Sequence, residues 1–138
     1  MIRQQLIKIF KENNYTCMIT NDTDIIYTSF DRGVKPLYDY YKIYNNKNTG
    51  DLKLIDKVIG NGAALLCILI GIIEVHTDVI SKSALKTFKK NNIPVTYTIL
   101  ADQIMNRNKD GRCPVEMLSE QYDTPEALYH ELKKFFKE

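Results

Sequence analysis

Apolar residues recur along the chain at the spacings that distinguish helices from strands. Residues 2–13 carry them at helical spacing, which predicts an amphipathic helix that ends at its two asparagines. The β-rich stretches YTCMIT and DIIYTSF then flank Asn21-Asp22-Thr23, a tight polar turn, and together they predict a hairpin. Residues 31–51 contain Gly, Pro and several asparagines and are interpreted as a long, partly irregular connection.

Residues 52–72, LKLIDKVIGNGAALLCILIGI, form the most apolar segment, and their Ala- and Leu-rich second half predicts a helix that is apolar on most sides. A strand is predicted in IIEVHTDVI, followed by a helix in SKSALKTFKKNN with Ser81 as N-cap. IPVTYTIL predicts another strand. After a polar loop, a short helix is predicted from Pro114 and a last one from Pro125, capped by Thr124 or Asp123.

The predicted order is α-β-β-α-β-α-β-α, which indicates an α/β protein. Strand–helix–strand alternation requires crossover connections and therefore parallel pairing, whereas the hairpin is antiparallel, so the sheet should be mixed. Helices on both faces of that sheet give a three-layer α/β/α sandwich. With 138 residues, the chain is expected to form a single domain over residues 1–138.

Composition limits which binding partners and which cellular compartment are expected for the protein. The formal net charge is +2 and the Lys and Arg residues are dispersed, which does not indicate a nucleic-acid partner. The longest apolar stretch spans 12 residues (62–73), short of the roughly 20 needed to cross a bilayer, and the N-terminal residues lack a signal-peptide core. Three widely spaced cysteines form no complete disulfide set, so a reduced, cytoplasmic location is expected.

Several segments together resemble the domain-of-unknown-function family 1893, from about residue 15 to 135. They are RGVKPLYDY, DKVIGNGAALLCILIGI, VISKSALKTFKKNNIPVTY and IMNRNKDGRCPVEML. The resemblance implies a cytidine-deaminase-like fold in a family with no established activity. The predicted element order agrees with that fold.

The zinc chemistry of such deaminases has no counterpart in the sequence. Those enzymes need three protein ligands and a proton-shuttling glutamate, in a His/Cys-Ala-Glu motif and a Pro-Cys-x-x-Cys motif at the starts of two helices. Here the corresponding helices begin within IDKVIGNGAAL and VISKSAL, which supply neither motif. The two histidines lie elsewhere, His76 on a predicted strand and His130 on the last predicted helix, and Cys113 with Glu116 would provide only two ligands. We therefore predict no metal, no cofactor and no zinc-dependent deamination.

A ligand pocket is expected where the second and third predicted helices begin, at the carboxyl ends of the parallel strands. The residues predicted there are Asp56, Lys57, Gly60, Asn61 and Ser81. A helix N-terminus favours an anion, although Ser81 is equally explained as a cap. The glycines are explained either by close approach of a ligand or by tight packing.

Two polar connections supply the other candidates. Arg presents a fork of hydrogen-bond donors that suits carboxylate or phosphate. For the connection that contains Arg32, a surface turn is an equally good explanation. Cys113 precedes Pro114 as a predicted N-cap, and Glu116 can reach back to it in a capping box. The candidate ligand contacts in these connections are Arg32, Gly33, Lys35, Asn106, Arg107, Gly111, Arg112, Cys113 and Glu116.

The leading hypothesis is a metal-free, deaminase-like domain that binds a nucleotide or another phosphorylated small molecule. A second hypothesis is an enzyme of another class that uses Cys113, or Asp56 with Lys57. A third is an interaction protein that forms homo-oligomers through the Tyr-rich stretch YDYYKIY, residues 38–44.

Overall fold

A five-stranded mixed sheet organises the part of the chain that the computed structural model describes, residues 2–21, 23–44, 50–104, 113–122 and 124–137. Six helices accompany it within these ranges. The elements in chain order are α1 (Gln4–Glu12), β1 (Cys17–Thr20), β2 (Ile25–Ser29), α2 (Lys35–Tyr44), β3 (Leu52–Ile59), α3 (Asn61–Ile70), β4 (Ile72–Ser81), α4 (Lys82–Lys90), β5 (Val95–Ala101), α5 (Pro114–Ser119) and α6 (Pro125–Phe135). The predicted α/β class is confirmed.

The sheet has the order β2-β1-β3-β4-β5. The hairpin pair β1–β2 and the pair β1–β3 are antiparallel, whereas β3–β4 and β4–β5 are parallel. The predicted mixture of an antiparallel hairpin and parallel crossover strands is therefore confirmed. No helix within the described ranges is long and apolar enough to cross a membrane.

Two elements were missed by the sequence analysis. Residues 35–44 form α2 rather than an irregular connection, because Pro36 sits in the first turn, where its ring is compatible with a helix. Residues 52–59 form β3, which the pattern merged with the helix that follows it. β3 is buried along most of its length, so its apolar run lacks the alternation that marks a half-exposed strand.

Alternate residues of the central strands belong to two separate apolar clusters. Ile19 of β1 and Leu54 of β3 belong to the larger cluster, which also includes residues of α2, α3, α4 and α6. Met18 and Ile55, adjacent in the sheet, pack instead with α1. This division follows from the period of two that directs successive strand side chains to opposite faces.

Helix α3 is the centre of the larger cluster. Its residues from Gly62 to Cys67 are all buried, and it contacts α2, α4, α5 and α6. The prediction of a helix apolar on most sides is confirmed. It ends at Gly71, whose φ of +95° is a left-handed conformation that favours glycine. Cys67 of this helix and Cys17 of β1 are buried, as predicted from their apolar surroundings.

Candidate functional site

The starts of α3 and α4 lie side by side at one edge of the sheet. β3 and β4 are parallel and pair Ile59 with Ile80, so both strands end at the same level before their helices begin. Gly60 is the N-cap of α3 and Ser81 is the N-cap of α4. The prediction that Gly60, Asn61 and Ser81 meet at the starts of two helices agrees with this arrangement.

Glu116 of α5 places a carboxylate at the start of α3. Its side chain is only 3% exposed. The backbone N–H of Asn61 donates to Glu116 Oε1 at 2.6 Å, and the Ser83 hydroxyl lies 3.4 Å from the same oxygen. Because Gly60 has no side chain with which to cap α3, Glu116 satisfies one of its unpaired N–H groups instead.

This role differs from the predicted capping box, in which Glu116 reached back to the start of its own helix. Cys113 is the N-cap of α5, as predicted, but its side chain makes no capping hydrogen bond. The carboxylate points instead to a helix whose start lies 55 residues earlier in the chain. The local spacing correctly predicted that Glu116 caps a helix but wrongly predicted that this helix is α5 rather than α3.

The two glycines at the start of α3 make room for side chains of α5. A Cβ on Gly60 would lie 1.8 Å from Glu116 Oε2, and one on Gly62 would lie 2.9 Å from Val115 Cγ1. These distances are shorter than real Cβ contacts, so any larger residue would displace α5 side chains. Close packing within the protein therefore accounts for both glycines.

A chain of polar contacts continues from Asn61 toward α4 and α5. The Thr87 hydroxyl donates to Asn61 Oδ1 at 2.5 Å, and Asn61 Nδ2 donates to Ser119 Oγ at 3.4 Å. The Ser119 hydroxyl also donates to the backbone oxygen of Glu116 at 2.6 Å. Thr87 and Ser119 were not among the predicted site residues. Thr87 lies four positions after Ser83 on one face of α4, and that spacing was the available signal.

A cavity of about 350 Å³ adjoins this network. It is half open to solvent and is lined by residues of α3 and α4 and of the segment from the end of α5 to the start of α6. Its lining combines two primary amides, two aliphatic hydroxyls, two branched aliphatic side chains, a proline ring, a tyrosine ring, an ammonium group and a carboxylate. The lining residues are Asn61, Leu65, Ile68, Thr87, Lys90, Asn91, Ser119, Glu120, Tyr122 and Pro125.

Asp56 and Lys57 lie within β3 rather than at the start of a helix, which corrects their predicted position. Asp56 is 6% exposed and pairs across the sheet with Cys17 and Thr77. Burial raises the pKa of Asp56 to about 8, although hydrogen bonds from the backbone of Val58 and Lys57 and from the Cys17 thiol oppose that rise. Consecutive strand residues point to opposite faces, so Asp56 and Lys57 are not expected to act together on one ligand.

Ser81 has the local role that its position predicted. Its hydroxyl accepts from the backbone N–H of Ala84 at 3.1 Å and lies 3.1 Å from the Ser83 hydroxyl. Lys82, the first residue of α4, points to solvent and forms an ion pair with Asp102 at 2.7 Å. The N-terminus of α4 is thus capped by its own serine.

The connection before α2 passes close to the start of α3. Val34 is buried, and its Cγ1 lies 3.5 Å from the Cβ position at Gly62. Arg32 is exposed, and Gly33 adopts a φ of +65°. Lys35 forms an ion pair with Asp39 at 2.6 Å on the same helix. None of these predicted residues lines the cavity described above.

The family to which the chain belongs follows from comparison with known proteins. A family model described as Domain of unknown function (DUF1893) matches residues 5–136. The chain belongs to the DUF1893 family. A crystal structure of a DUF1893 family protein (TM1506) from Thermotoga maritima has the same fold, with a TM-score of 0.85 and 24% sequence identity. The similarity covers 97% of this chain and 92% of that chain, and no curated protein gave a match.

Four residues predicted to contact a ligand in this DUF1893 chain, Asn106, Arg107, Gly111 and Arg112, lie outside the described residues. The described residues on either side of them are close together, because the backbone N–H of Cys113 donates to the Ile104 oxygen at 2.9 Å. Ile104 Cγ1 also lies 3.2 Å from the Cβ position at Gly60. The ends of this polar connection therefore lie next to the start of α3.

Within the described ranges, no three His, Cys, Asp or Glu side chains of the DUF1893 chain come together in a group that can hold a metal ion. His76 Nδ1 lies 2.7 Å from the Thr96 hydroxyl on the neighbouring strand, and burial lowers the pKa of this imidazole. His130 is exposed on α6.

Proposed function

We propose that this protein is a deaminase-like domain that lacks the zinc motif and binds a nucleotide or a related phosphorylated small molecule. The finer fold assignment, a cytidine-deaminase-like three-layer α/β/α sandwich, is part of the proposal. It is supported by the parallel pairs β3–β4 and β4–β5 and by the adjacent starts of α3 and α4. Those two helix starts are where the zinc motifs of deaminases would stand.

The observation that carries the proposal is the composition of the cavity between α3 and α4. Its volume of about 350 Å³ falls within the range of small-molecule sites, roughly 300–1,000 Å³. Asn61, Thr87 and Ser119, which are linked by hydrogen bonds, are among its polar lining side chains. Such groups, set beside apolar walls, fix the orientation of a bound heterocycle or sugar.

The cavity also offers an aromatic ring and a cation. Tyr122 contributes an aromatic side chain to the lining, the kind of group on which a planar base can stack. Lys90 lies three positions after Thr87 on α4, nearly one helical turn further along the groove, and its ammonium group can pair with a phosphate. Base, sugar and phosphate thus each have a chemical counterpart in one cavity, whose lining also includes the carboxylate of Glu120.

The position of Glu116 moves the expected phosphate away from the start of α3. A carboxylate already occupies the end of that helix, and a second anion beside it would be repelled. The sequence hypothesis placed the anion at these helix starts. We now expect it near Lys90, while Arg107 and Arg112, which lie outside the described residues, remain predicted contacts.

A thermal-shift panel of the four ribonucleoside monophosphates, the four matching nucleosides and inorganic phosphate tests this function. A ligand present at one hundred times its Kd stabilises the native state by about 2.7 kcal/mol, which such an assay detects. We expect at least one monophosphate to raise the Tm more than its nucleoside. No stabilisation by any compound at millimolar concentration would contradict the proposal.

Two lysines of α4 provide a matched pair for this assay. Lys90 lines the cavity, whereas Lys86 is exposed on the same helix and does not line it. The Lys90→Ala variant is expected to lose the extra stabilisation by the monophosphate and to keep that by the nucleoside. Lys86→Ala is expected to behave like the wild type. An equal loss in both variants would indicate general charge attraction rather than a site.

A further inference from the structure

Strand β5 is exposed in a way that the other parallel strands are not. Residues 96–100 of β5 are all exposed, whereas β3 is buried at six of its eight positions. The apolar side chains of Tyr97, Ile99 and Leu100 are 41%, 55% and 40% exposed. Parallel strands are normally covered on both faces, so β5 is unusually exposed for a strand of this kind.

The outer edge of β5 is also open to hydrogen bonding. Among the described strands, β5 pairs with β4 alone and stands at the end of the sheet. Its sequence VTYTILA has no proline and no charged residue, the features by which natural proteins protect an edge from pairing. An uncharged strand of this kind presents its backbone N–H and C=O groups to any extended segment.

The opposite edge of the sheet is protected. β2 is shorter, and its pairing with β1 contains a register shift between Ile19 and Thr20. The ring of Tyr27 in β2 packs against Tyr40 of α2 at a centroid distance of 5.5 Å. The contrast between the two edges indicates that pairing is suppressed at one and permitted at the other.

We propose that β5 pairs in antiparallel fashion with β5 of a second copy of this chain, joining the two sheets into one. A strand without charges does not repel its own copy, and the apolar side chains of Tyr97 and Ile99 would face equivalent ones across a two-fold axis. A two-fold contact is closed, so it yields a dimer rather than a fibre.

The charges at the two ends of β5 favour this orientation. Asp102, which follows the strand directly, forms an exposed ion pair with Lys82 of the same chain, and the last turn of α4, on the other side of residues 91–94, carries Lys89. Antiparallel pairing places the acidic end of one strand next to the basic end of the other. Parallel pairing would instead place like charges together. A second copy is therefore the occupant that matches both the strand and its flanks.

Light scattering after size-exclusion chromatography, over a series of protein concentrations, tests the proposal on the full chain. The wild type is expected to be a dimer. Ile99→Lys, which places an ammonium group within the strand pair, is expected to raise the dimer dissociation constant by more than about tenfold. A wild type that stays monomeric at all concentrations would overturn the proposal.

Ile43→Lys on α2 is the matched control, because Ile43 is 58% exposed and lies on a different element. It is expected to leave the dimer intact. Hydrogen exchange locates the contact: amides of β5 should exchange slowly in the wild-type dimer and faster in the Ile99→Lys monomer. A dimer that persists in Ile99→Lys, or that Ile43→Lys dissociates equally, would place the interface elsewhere and refute the assignment to β5.

Discussion

Gly60 and Glu116 depend on each other at the start of α3. The glycine leaves the space into which the carboxylate reaches, and the carboxylate supplies the cap that the glycine cannot. Glu116 is buried, so displacing it would break the hydrogen bond to the Asn61 backbone without offering it water in return. The two positions should therefore be energetically coupled.

Substituting Gly60→Ala tests that coupling. Because the added Cβ meets Glu116 Oε2, we expect the free energy of unfolding to fall by about 1–3 kcal/mol. In a Glu116→Ala background the clash is absent, and the cost of Gly60→Ala should fall by at least about 1 kcal/mol. Urea denaturation of the four proteins gives this coupling energy. Additive effects would contradict the close contact.

Asp56 is the residue that should make stability depend on pH. Its pKa is about 8 in the folded protein and lies near the ordinary aspartate value of 3.8 when the chain is unfolded. Between these values the folded state holds a proton that the unfolded state has lost. Stability is therefore expected to fall as pH rises from about 4 to 8, with a slope on the order of 1 kcal/mol per pH unit, and to level off above 8.

The Asp56→Asn variant removes this titration. Denaturant unfolding at a series of pH values should show a flatter dependence than in the wild type, and the variant should be the more stable protein at pH 8. Asp51→Asn, at an exposed position, serves as the control and should keep the wild-type slope. Equal slopes in wild type and Asp56→Asn would mean that Asp56 is already ionised in the folded protein at neutral pH.

At the scale of elements, α2 is the helix for which the sequence prediction and the structure differ most clearly. Its tyrosines suggested an oligomer interface, but Tyr38 and Tyr40 are buried within the chain. The ring of Tyr38 packs against those of Tyr129 and Phe136 at centroid distances of 5.3 and 4.7 Å. The ring of Tyr38 therefore joins α2 to α6 within the chain, and contact of the Tyr-rich stretch with a second molecule stays a prediction.

Tyr38→Ala should consequently act on stability rather than on assembly. Truncating a fully buried aromatic side chain is expected to cost about 3–5 kcal/mol, measured by urea denaturation. Ile43→Ala on the exposed side of the same helix is expected to change stability by less than about 0.5 kcal/mol. A small effect of Tyr38→Ala on unfolding would contradict the packing of α2 against α6.

The elements that the sequence predicted well are those with local signals. Ser81 as the cap of α4, Thr124 as the cap of α6 and Pro114 at the start of α5 are each decided by neighbouring residues. β3 was missed because a strand buried on both faces loses its alternation and merges with the apolar helix after it.

The site was predicted only in part for a related reason. The start of α3 was located from Gly60 and Asn61, but its partners Thr87, Glu116 and Ser119 come from two other helices. No spacing along the chain specifies contacts between residues tens of positions apart. The connections rich in hydrogen-bond donors were predicted to contact a ligand because of their composition. The cavity, in contrast, is lined mainly by residues that no sequence motif marks, such as Leu65 and Lys90.

At the scale of the whole molecule, the two proposals concern different parts of the fold. The cavity is formed by helices on one side of α4, and the proposed dimer contact is formed by the edge strand β5. Loss of the dimer in Ile99→Lys is therefore expected to leave ligand stabilisation unchanged. If both were lost together, the cavity would have to depend on the second copy.

The most direct test of the proposed function is an NMR titration of the ¹⁵N-labelled protein with the ribonucleoside monophosphate that raises the Tm most. Binding in the cavity predicts saturable shifts of the backbone amide signals of Asn61, Thr87, Asn91 and Tyr122, whose residues line it. The amides of β2 should not shift. An absence of shifts at millimolar ligand, or saturable shifts confined to residues away from α3 and α4, would contradict a nucleotide site in this cavity.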